Sequence, residues 1–453
     1  MSNTQSTTLT KRAFGGDYPK IVVPPPGPKS KAIIDQDEQF SSTSYIKEYP
    51  LTVSHGEGPV IEDTDGNRYL DFMAGIAVAS TGYSHPHVVK AVKEAADKFF
   101  HICGTDFYYP TMATLCERLA NTGLGDSKKR VFLSNSGAEA IEGAIKLVRN
   151  STGRTDLIAF HGAFHGRTYG AMSLTSSKAK QRSTFGPMLP GVHHVPYPDA
   201  YRLETGGMEV GEFVMHQIHD LLSRHIYPQD VAAIFIEPML GEGGYIIPPK
   251  SFLQSLRTLC DEHGILLVFD EVQSGAGRTG HMWASDYFGI VPDVLTTAKG
   301  IGSGMPIGAI IAKESVMTWP KGSHGSTYGG NPVACAAALA TMDLLEGGLI
   351  DNAREVGDEM LAGLRKLQEK HACIGDVRGT GLYIGVEFVE DRATKKPAAD
   401  LVHKLGQLAF TKGLLLLSCG SSVIRIAPPL VIDKEDVEIG LRIMDECITE
   451  LTT

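Results

Sequence analysis

Two residues of opposite charge, each placed just past an apolar run, are the first pointers to chemistry. Ile265-Leu-Leu-Val-Phe-Asp270 runs five apolar residues into a carboxylate, and Glu271, Val272 and Gln273 follow. Such a run, bounded by Gly264 and by later glycines, predicts a strand buried on both faces, as in a parallel sheet. An ionised Asp at its end is costly unless a cation meets it. Further on, Asp293-Val-Leu-Thr-Thr-Ala predicts a second strand, and it ends in Lys299-Gly-Ile-Gly302. The plain reading of this pair is an Asp–Lys salt bridge at the rim of a sheet. The chemical reading is a cofactor that needs an amine for covalent attachment and an acid to keep a ring nitrogen protonated.

Pyridoxal phosphate has both needs, and four more stretches offer groups for it. Asn135-Ser136-Gly137-Ala138-Glu139-Ala140 opens a helix just after a strand, so free backbone donors and the helix dipole make an anion site for a phosphate. Its alternative is an ordinary Ser cap. In His161-Gly-Ala-Phe164-His165-Gly166-Arg167, Phe164 could stack on a flat ring and Arg167 could clamp a carboxylate, or they are a core Phe and a surface Arg. Glu237 and Glu242 follow another strand; they are solvated acids, or Glu242 is paired with Arg425 on a late strand. Ser326-Thr327-Tyr-Gly-Gly-Asn-Pro332 adds a glycine-rich loop with a further hydroxyl.

The elements that must position these residues alternate. Strands are predicted at 131–133, 157–160, 231–236, 265–270 and 307–311, and helices at 138–149, 215–225, 252–262 and 333–345. Alternation of this kind predicts an α/β fold whose mostly parallel sheet binds ligands beyond the carboxyl ends of its strands. Upstream, Val60 to Phe72 reads as a hairpin around Asp65-Gly-Asn67, and Pro86 opens a helix out to about His101. Downstream, helix 351–370, strand 382–388, a helix near 401–410, strand 423–426 and a helix to Leu451 predict a smaller α+β domain. Pro24 to Pro28 is a stiff spacer that crosses the surface or reaches a neighbouring subunit, and a helix-containing lead-in follows it. The expected division is a tail at 1–35, a segment joining the small domain at 36–80, a large domain at 81–345 and a small domain at 346–453.

Composition narrows the function classes. A net charge of −10 argues against nucleic acid and anionic membranes, which favour basic surfaces. Seven scattered cysteines without a Cys-x-x-Cys pair read as reduced thiols, so no metal site and a cytoplasmic location are expected. Residues 1–12 hold no apolar segment of a signal peptide, and no stretch is expected to reach the roughly 18 apolar residues of a membrane span.

Asn135 to Ala140, Phe164 to Arg167, Glu237 to Gly244, Phe269 to Gln273 with Gly277-Arg-Thr-Gly280, Lys299-Gly and Thr327 to Pro332 occur in one order. From about Pro50 onward this set resembles the class III, or ω-, aminotransferases among the fold-type-I pyridoxal-phosphate enzymes. The resemblance implies a homodimer with active sites at the interface. It implies that Lys299 is the Schiff-base lysine, Asp270 the partner of the ring nitrogen and Gln273 the partner of the ring hydroxyl. Phe164 and Val272 would cover the two ring faces, with His165 beside them. Ser136, Gly137 and Ala138 would cradle the phosphate, and Thr327 would reach it from the other subunit. Arg167 would hold the α-carboxylate of glutamate. Glu242 and Arg425 would form a switch, paired for an ω-amino substrate and opened for a dicarboxylate.

What the resemblance implies about substrate is an amino donor and a 2-oxo acid acceptor, with 4-aminobutyrate and 2-oxoglutarate the preferred pair. Ile76 stands where ornithine-specific members carry a tyrosine, so strict ornithine use is disfavoured. Acetylornithine transamination, an amino-acid racemase and a cofactor-binding sensor remain as alternatives. A racemase needs a second proton donor on the opposite ring face. Phe164 and Val272 have no proton to give, which leaves His165 or a tyrosine such as Tyr108 as candidates.

Overall fold

The computed structural model describes residues 12–123 and 125–453. Seven strands form the central sheet, numbered here in chain order: β1 Lys129–Ser134, β2 Asp156–Phe160, β3 Val192–Val195, β4 Val231–Ile236, β5 Leu266–Asp270, β6 Val294–Thr297 and β7 Gly308–Lys313. Their spatial order is β1-β7-β6-β5-β4-β2-β3. All pairings from β3 through β6 are parallel, whereas β7 runs against both β6 and β1. The mostly parallel α/β sheet is the one the sequence predicts; the reversed β7 is not. Its cause is the short glycine-rich link 298–307, which has no room for a crossover helix and can only turn the chain back.

The unbroken apolar runs have a simple origin. Side chains alternate along a strand, and here both faces are covered. Ala233, Phe235 and Val268 pack on one face with Ile141, Ile145 and Val148 of helix Gly137–Thr152. Ile234, Ile236, Leu267 and Phe269 pack on the other with Val214 and Ile218 of helix Val210–Arg224 and Leu256 and Leu259 of helix Lys250–His263. Gly264 ends the latter helix at φ 61°, a left-handed conformation that glycine adopts without a Cβ clash, and the chain enters β5. Truncating a buried side chain such as Phe269 to Ala would cost about 3–5 kcal/mol. The carboxyl ends of β4, β5 and β6 are therefore held on a rigid frame.

A second sheet contains the antiparallel strands Ile374–Thr380, Tyr383–Asp391, Val423–Ile426 and Leu417–Cys419, with helices Ile350–Lys370, Ala399–Thr411 and Lys434–Thr452. The first of these strands is absent from the sequence expectation, since its glycines and charges hide the apolar period. The hairpin near residue 65 pairs Ile61 with Tyr69 as expected. Leu414 and Leu415 add to that sheet in parallel, tying the N-terminal segment to the C-terminal third of the chain.

Three expectations need correction. The helix from Pro86 ends at Ala96, well before His101, where Phe99 and Phe100 are exposed and offer no packed face to continue it. The described part of the expected tail is docked: Arg12 donates to Asp436 at 2.9 Å and to Tyr18 at 3.0 Å, and Pro28 opens a helix to Phe40; residues 1–11 lie outside the described residues. Finally, Pro332–Lys370 contains a window of mean hydropathy 1.6 that meets the length and composition of a membrane span. Eleven of the 13 residues in helix Pro332–Leu344 are buried in the protein's own core, which accounts for that apolarity.

Candidate active site

Asp270 ends β5 as a buried carboxylate, and its cationic neighbour is not the lysine. Oδ2 lies 2.7 Å from His165 Nδ1, and Oδ1 accepts the Val272 N–H at 3.0 Å. The Asp–Lys salt bridge offered as the plain reading is not formed. Burial alone would lower the His165 pKa, but the hydrogen bond and charge of Asp270 hold it above the ordinary value. Glu237, at the end of β4, accepts the N–H groups of Phe164 at 2.8 Å and Gly241 at 3.0 Å. Burial pushes its pKa up to about 7, against the pull of His165.

Lys299 follows β6 in a left-handed conformation, φ 46°, at the start of a tight turn. Among the described residues its amine has no salt-bridge or hydrogen-bond partner. Burial, reinforced by the positive charge of Arg425, pushes its pKa down to about 8, although Glu237, Asp270 and Glu242 oppose this. An amine poised near neutrality beside a cavity is a nucleophile and a base.

A cavity of about 380 Å³ gathers these groups. Ser136, Gly137, Ala138, Phe164, His165, Arg167, Asp270, Val272, Gln273 and Lys299, all foreseen from sequence, line it. At one end is the start of the 16-residue helix Gly137–Thr152. Ser136 Oγ accepts the Glu139 N–H at 3.2 Å, and the Gly137 and Ala138 N–H groups have no acceptor among the described residues. A Cβ on Gly137 would sit 2.8 Å from a Val272 methyl, so glycine is required for Val272 to pack there. Arg167 is exposed, with its guanidinium 5.3 Å over the Phe164 ring. Among the described residues His165 Nε2, on a residue lining the cavity, is buried without a hydrogen-bond partner. The acid, the amine and the anion-binding helix start fit a pyridine ring bearing an aldehyde and a phosphate.

Four foreseen residues do not line this cavity. Ile76 is 42% exposed in a turn with φ 68°. Thr327 is exposed in the loop before Pro332; its neighbour Ser326 instead receives the Asn135 side-chain N–H at 3.1 Å. Glu242 and Arg425 do meet, at 3.0 Å, outside the lining. Lys178 also reaches Glu242 at 3.0 Å. Despite burial, Arg425 and Lys178 hold the Glu242 pKa below the ordinary carboxylate value. Arg425 is buried and donates to Ser418 O at 3.1 Å, and among the described residues its Nε and Nη1 have no partner. Sequence reasoning missed Lys178, Tyr245 and Arg378. The first stands in a polar loop with no pattern, and the third lies on the unforeseen strand.

Residues 42–448 match the family described as aminotransferase class-III. The chain belongs to this family. The class-III chain is 43% identical over 407 residues to a 5-aminovalerate aminotransferase of Pseudomonas aeruginosa, covering 89% of this chain and 94% of the relative. It is 40% identical over 448 residues to an alanine/serine racemase of Pyrococcus horikoshii, covering 96% and 94%. Among solved structures, a pyridoxal-phosphate-bound amine transaminase from an uncultivated Pseudomonas species superposes with a TM-score of 0.83 and 30% identity, over 91% of this chain and 97% of that one. The protein is a pyridoxal-phosphate-dependent aminotransferase-family enzyme, and its cavity has the groups that cofactor requires.

Proposed function

We propose that the enzyme transfers the amino group of an ω-amino acid, 4-aminobutyrate or its one-carbon-longer homologue 5-aminovalerate, to 2-oxoglutarate. The products are the ω-semialdehyde and glutamate. The observation that carries this reading is the Glu242–Arg425 pair: a carboxylate neutralises a buried arginine whose Nε and Nη1 have no partner among the described residues. A monocarboxylate donor leaves the pair closed. A dicarboxylate acceptor brings its own second carboxylate to Arg425 and displaces Glu242, which is a device for alternating two substrates in one site. Curated relatives named as 4-aminobutyrate and 5-aminovalerate aminotransferases support the choice of donor.

Pyridoxal phosphate, when bound, supplies a carbonyl for the amine and a ring that stores an electron pair. The chain supplies the rest. Lys299 Nζ would anchor the cofactor through its carbonyl carbon and, once released, would serve as the base that takes and returns the proton at the substrate carbon bearing nitrogen. Asp270, fixed by His165, would keep the ring nitrogen protonated. Ser136 with the Gly137 and Ala138 amides would hold the phosphate, Phe164 and Val272 would flank the ring, and Arg167 would receive a carboxylate. Tyr108, Phe100 and Tyr328, exposed at 104%, 74% and 62%, support a homodimer in which Thr327 and Ile76 face the partner's site.

The extent of the match to the racemase keeps one second reading. Tyr108 stands outside the cavity lining, His165 is committed to Asp270 at 2.7 Å, and Phe164 and Val272 carry no proton donor, which favours transamination. The test incubates holoenzyme with single L-amino acids and no 2-oxo acid, followed by chiral chromatography. In parallel, glutamate is measured from 4-aminobutyrate or 5-aminovalerate plus 2-oxoglutarate. Glutamate without D-isomer supports the proposal; rapid D-isomer formation without glutamate overturns it.

A further inference from the structure

We propose that Tyr245 is a positioning residue whose phenol fixes the Gln273 side-chain amide so that Gln273 is a hydrogen-bond donor to the ring oxygen of the cofactor. The inference rests on the cofactor placement proposed above. Tyr245 is fully buried and does not line the cavity, whereas Gln273 does. The Tyr245 hydroxyl donates to Gln273 Oε1 at 2.8 Å. Among the described residues this is the hydroxyl's one acceptor. With the amide turned over, Gln273 Nε2 would donate to the phenol oxygen, and the phenol proton would be buried without an acceptor. The unpaired donor makes that state the costlier one, so Oε1 stays on Tyr245 and both Nε2 protons stay uncommitted. A side chain on Gly241 would collide with the same amide, which leaves Gln273 little room to move.

Tyr245 is itself held at its ring and at its backbone. Its ring stacks on Tyr383, with centroids 3.9 Å apart and planes 3° apart, and the Tyr383 hydroxyl donates to Met239 O at 3.1 Å. Its backbone sits at φ 52°, a strained conformation for a side chain of this size. Arg378 secures that backbone: Nε donates to Tyr245 O at 3.1 Å, and Nη2 to Gly244 O at 2.6 Å. Asp376 and Glu387, at 2.7 and 2.6 Å from Arg378 Nη1, balance its charge. The second sheet thus reaches the cavity through Arg378, Tyr245 and Gln273 in turn.

The test is a double-mutant cycle read as pyridoxal-phosphate affinity of the apoprotein by equilibrium dialysis, with apoprotein melting temperatures showing that each variant is folded. Tyr245→Phe is expected to weaken binding by about 10-fold, the effect of one lost hydrogen bond, and Gln273→Ala by at least as much. The double variant is expected to bind no more weakly than Gln273→Ala, because Tyr245 acts through that amide. The pH midpoint of the bound cofactor's absorbance change is expected to rise in Tyr245→Phe, since a donor favours the ionised ring oxygen; a merely structural role would leave it in place. Gln273→Glu keeps an acceptor for Tyr245 but removes the donor, so it is expected to bind at least as weakly as Gln273→Ala. Losses that multiply in the double variant, an unmoved midpoint, or parent-like affinity of Gln273→Glu would overturn the proposal. Parent-like affinity of Gln273→Ala would instead overturn the placement of Gln273 against the cofactor, and the inference with it.

Discussion

Replacing Glu242 with Gln probes the substrate switch where its energetics are most exposed. Glu242 and Arg425 side chains are 16% and 5% exposed, so their 3.0 Å contact is shielded from water. A hydrogen bond to a charged group in such a setting is worth about 1.5–3 kcal/mol, or roughly 10- to 150-fold in a rate or binding ratio. The Lys178 contact adds little, since that amine is 45% exposed and an exposed pair contributes about 0–1 kcal/mol. Without the carboxylate, Arg425 is left charged and uncompensated whenever a monocarboxylate donor occupies the site. A dicarboxylate restores the balance with its own second carboxylate. The ratio of kcat/KM for glutamate to kcat/KM for 4-aminobutyrate is therefore expected to rise by about 10- to 100-fold in Glu242→Gln. Single-turnover half-reactions, followed by cofactor absorbance with each donor separately, measure the two values without interference. A ratio unchanged within about twofold, or shifted toward 4-aminobutyrate, would refute the switch.

Three further outcomes are expected. Asp270→Asn retains cofactor but loses at least about 100-fold in kcat, because a neutral partner cannot keep the ring nitrogen protonated; near-parent turnover would place another group there. Burial depresses the pKa of the free Lys299 amine to about 8, so once released it is available in its neutral form, and the rate of the donor half-reaction is expected to rise with pH; a flat profile from about pH 6.5 to 9.5 would contradict that role. Arg12→Ala removes a charged bond to Asp436, whose side chain is 2% exposed, at about 1.5–3 kcal/mol, so the melting temperature falls by a few degrees and residues 12–27 become protease-sensitive; an unchanged melt would return that segment to the status of a tail.

The legible parts of this chain are those where one local pattern decides the structure. The run into Asp270 is apolar throughout because both faces of β5 are covered, and a buried acid at its end has few structural uses. Ser136 to Ala138 is legible because a strand followed by a helix start makes an anion site whatever the surroundings. Lys299 gains meaning from company: alone it allowed a salt bridge with Asp270, and the structure gives that partner role to His165. The reversal of β7 was open to inference from the short link after Lys299, but strand–helix alternation elsewhere masked it. Ile374–Thr380 was hidden for a physical reason, since its charged residues are balanced by tertiary partners, Arg378 by Glu387, that no local pattern announces. Tyr245 and Lys178 were missed likewise: each acts through a neighbour distant in sequence. Glu242 and Arg425 are legible as a possible pair because an acid near a carboxylate-binding pocket needs a cation, the switch role coming from the family resemblance alone, and the structure brings the two together.

The most direct test of the central claim is the fate of the donor nitrogen. Holoenzyme is incubated with 4-aminobutyrate or 5-aminovalerate carrying a heavy-nitrogen label on the ω-amine, together with unlabelled 2-oxoglutarate, and the products are weighed by mass spectrometry. The account predicts one labelled glutamate for each semialdehyde formed. Glutamate without label, or donor consumption without glutamate, would contradict it.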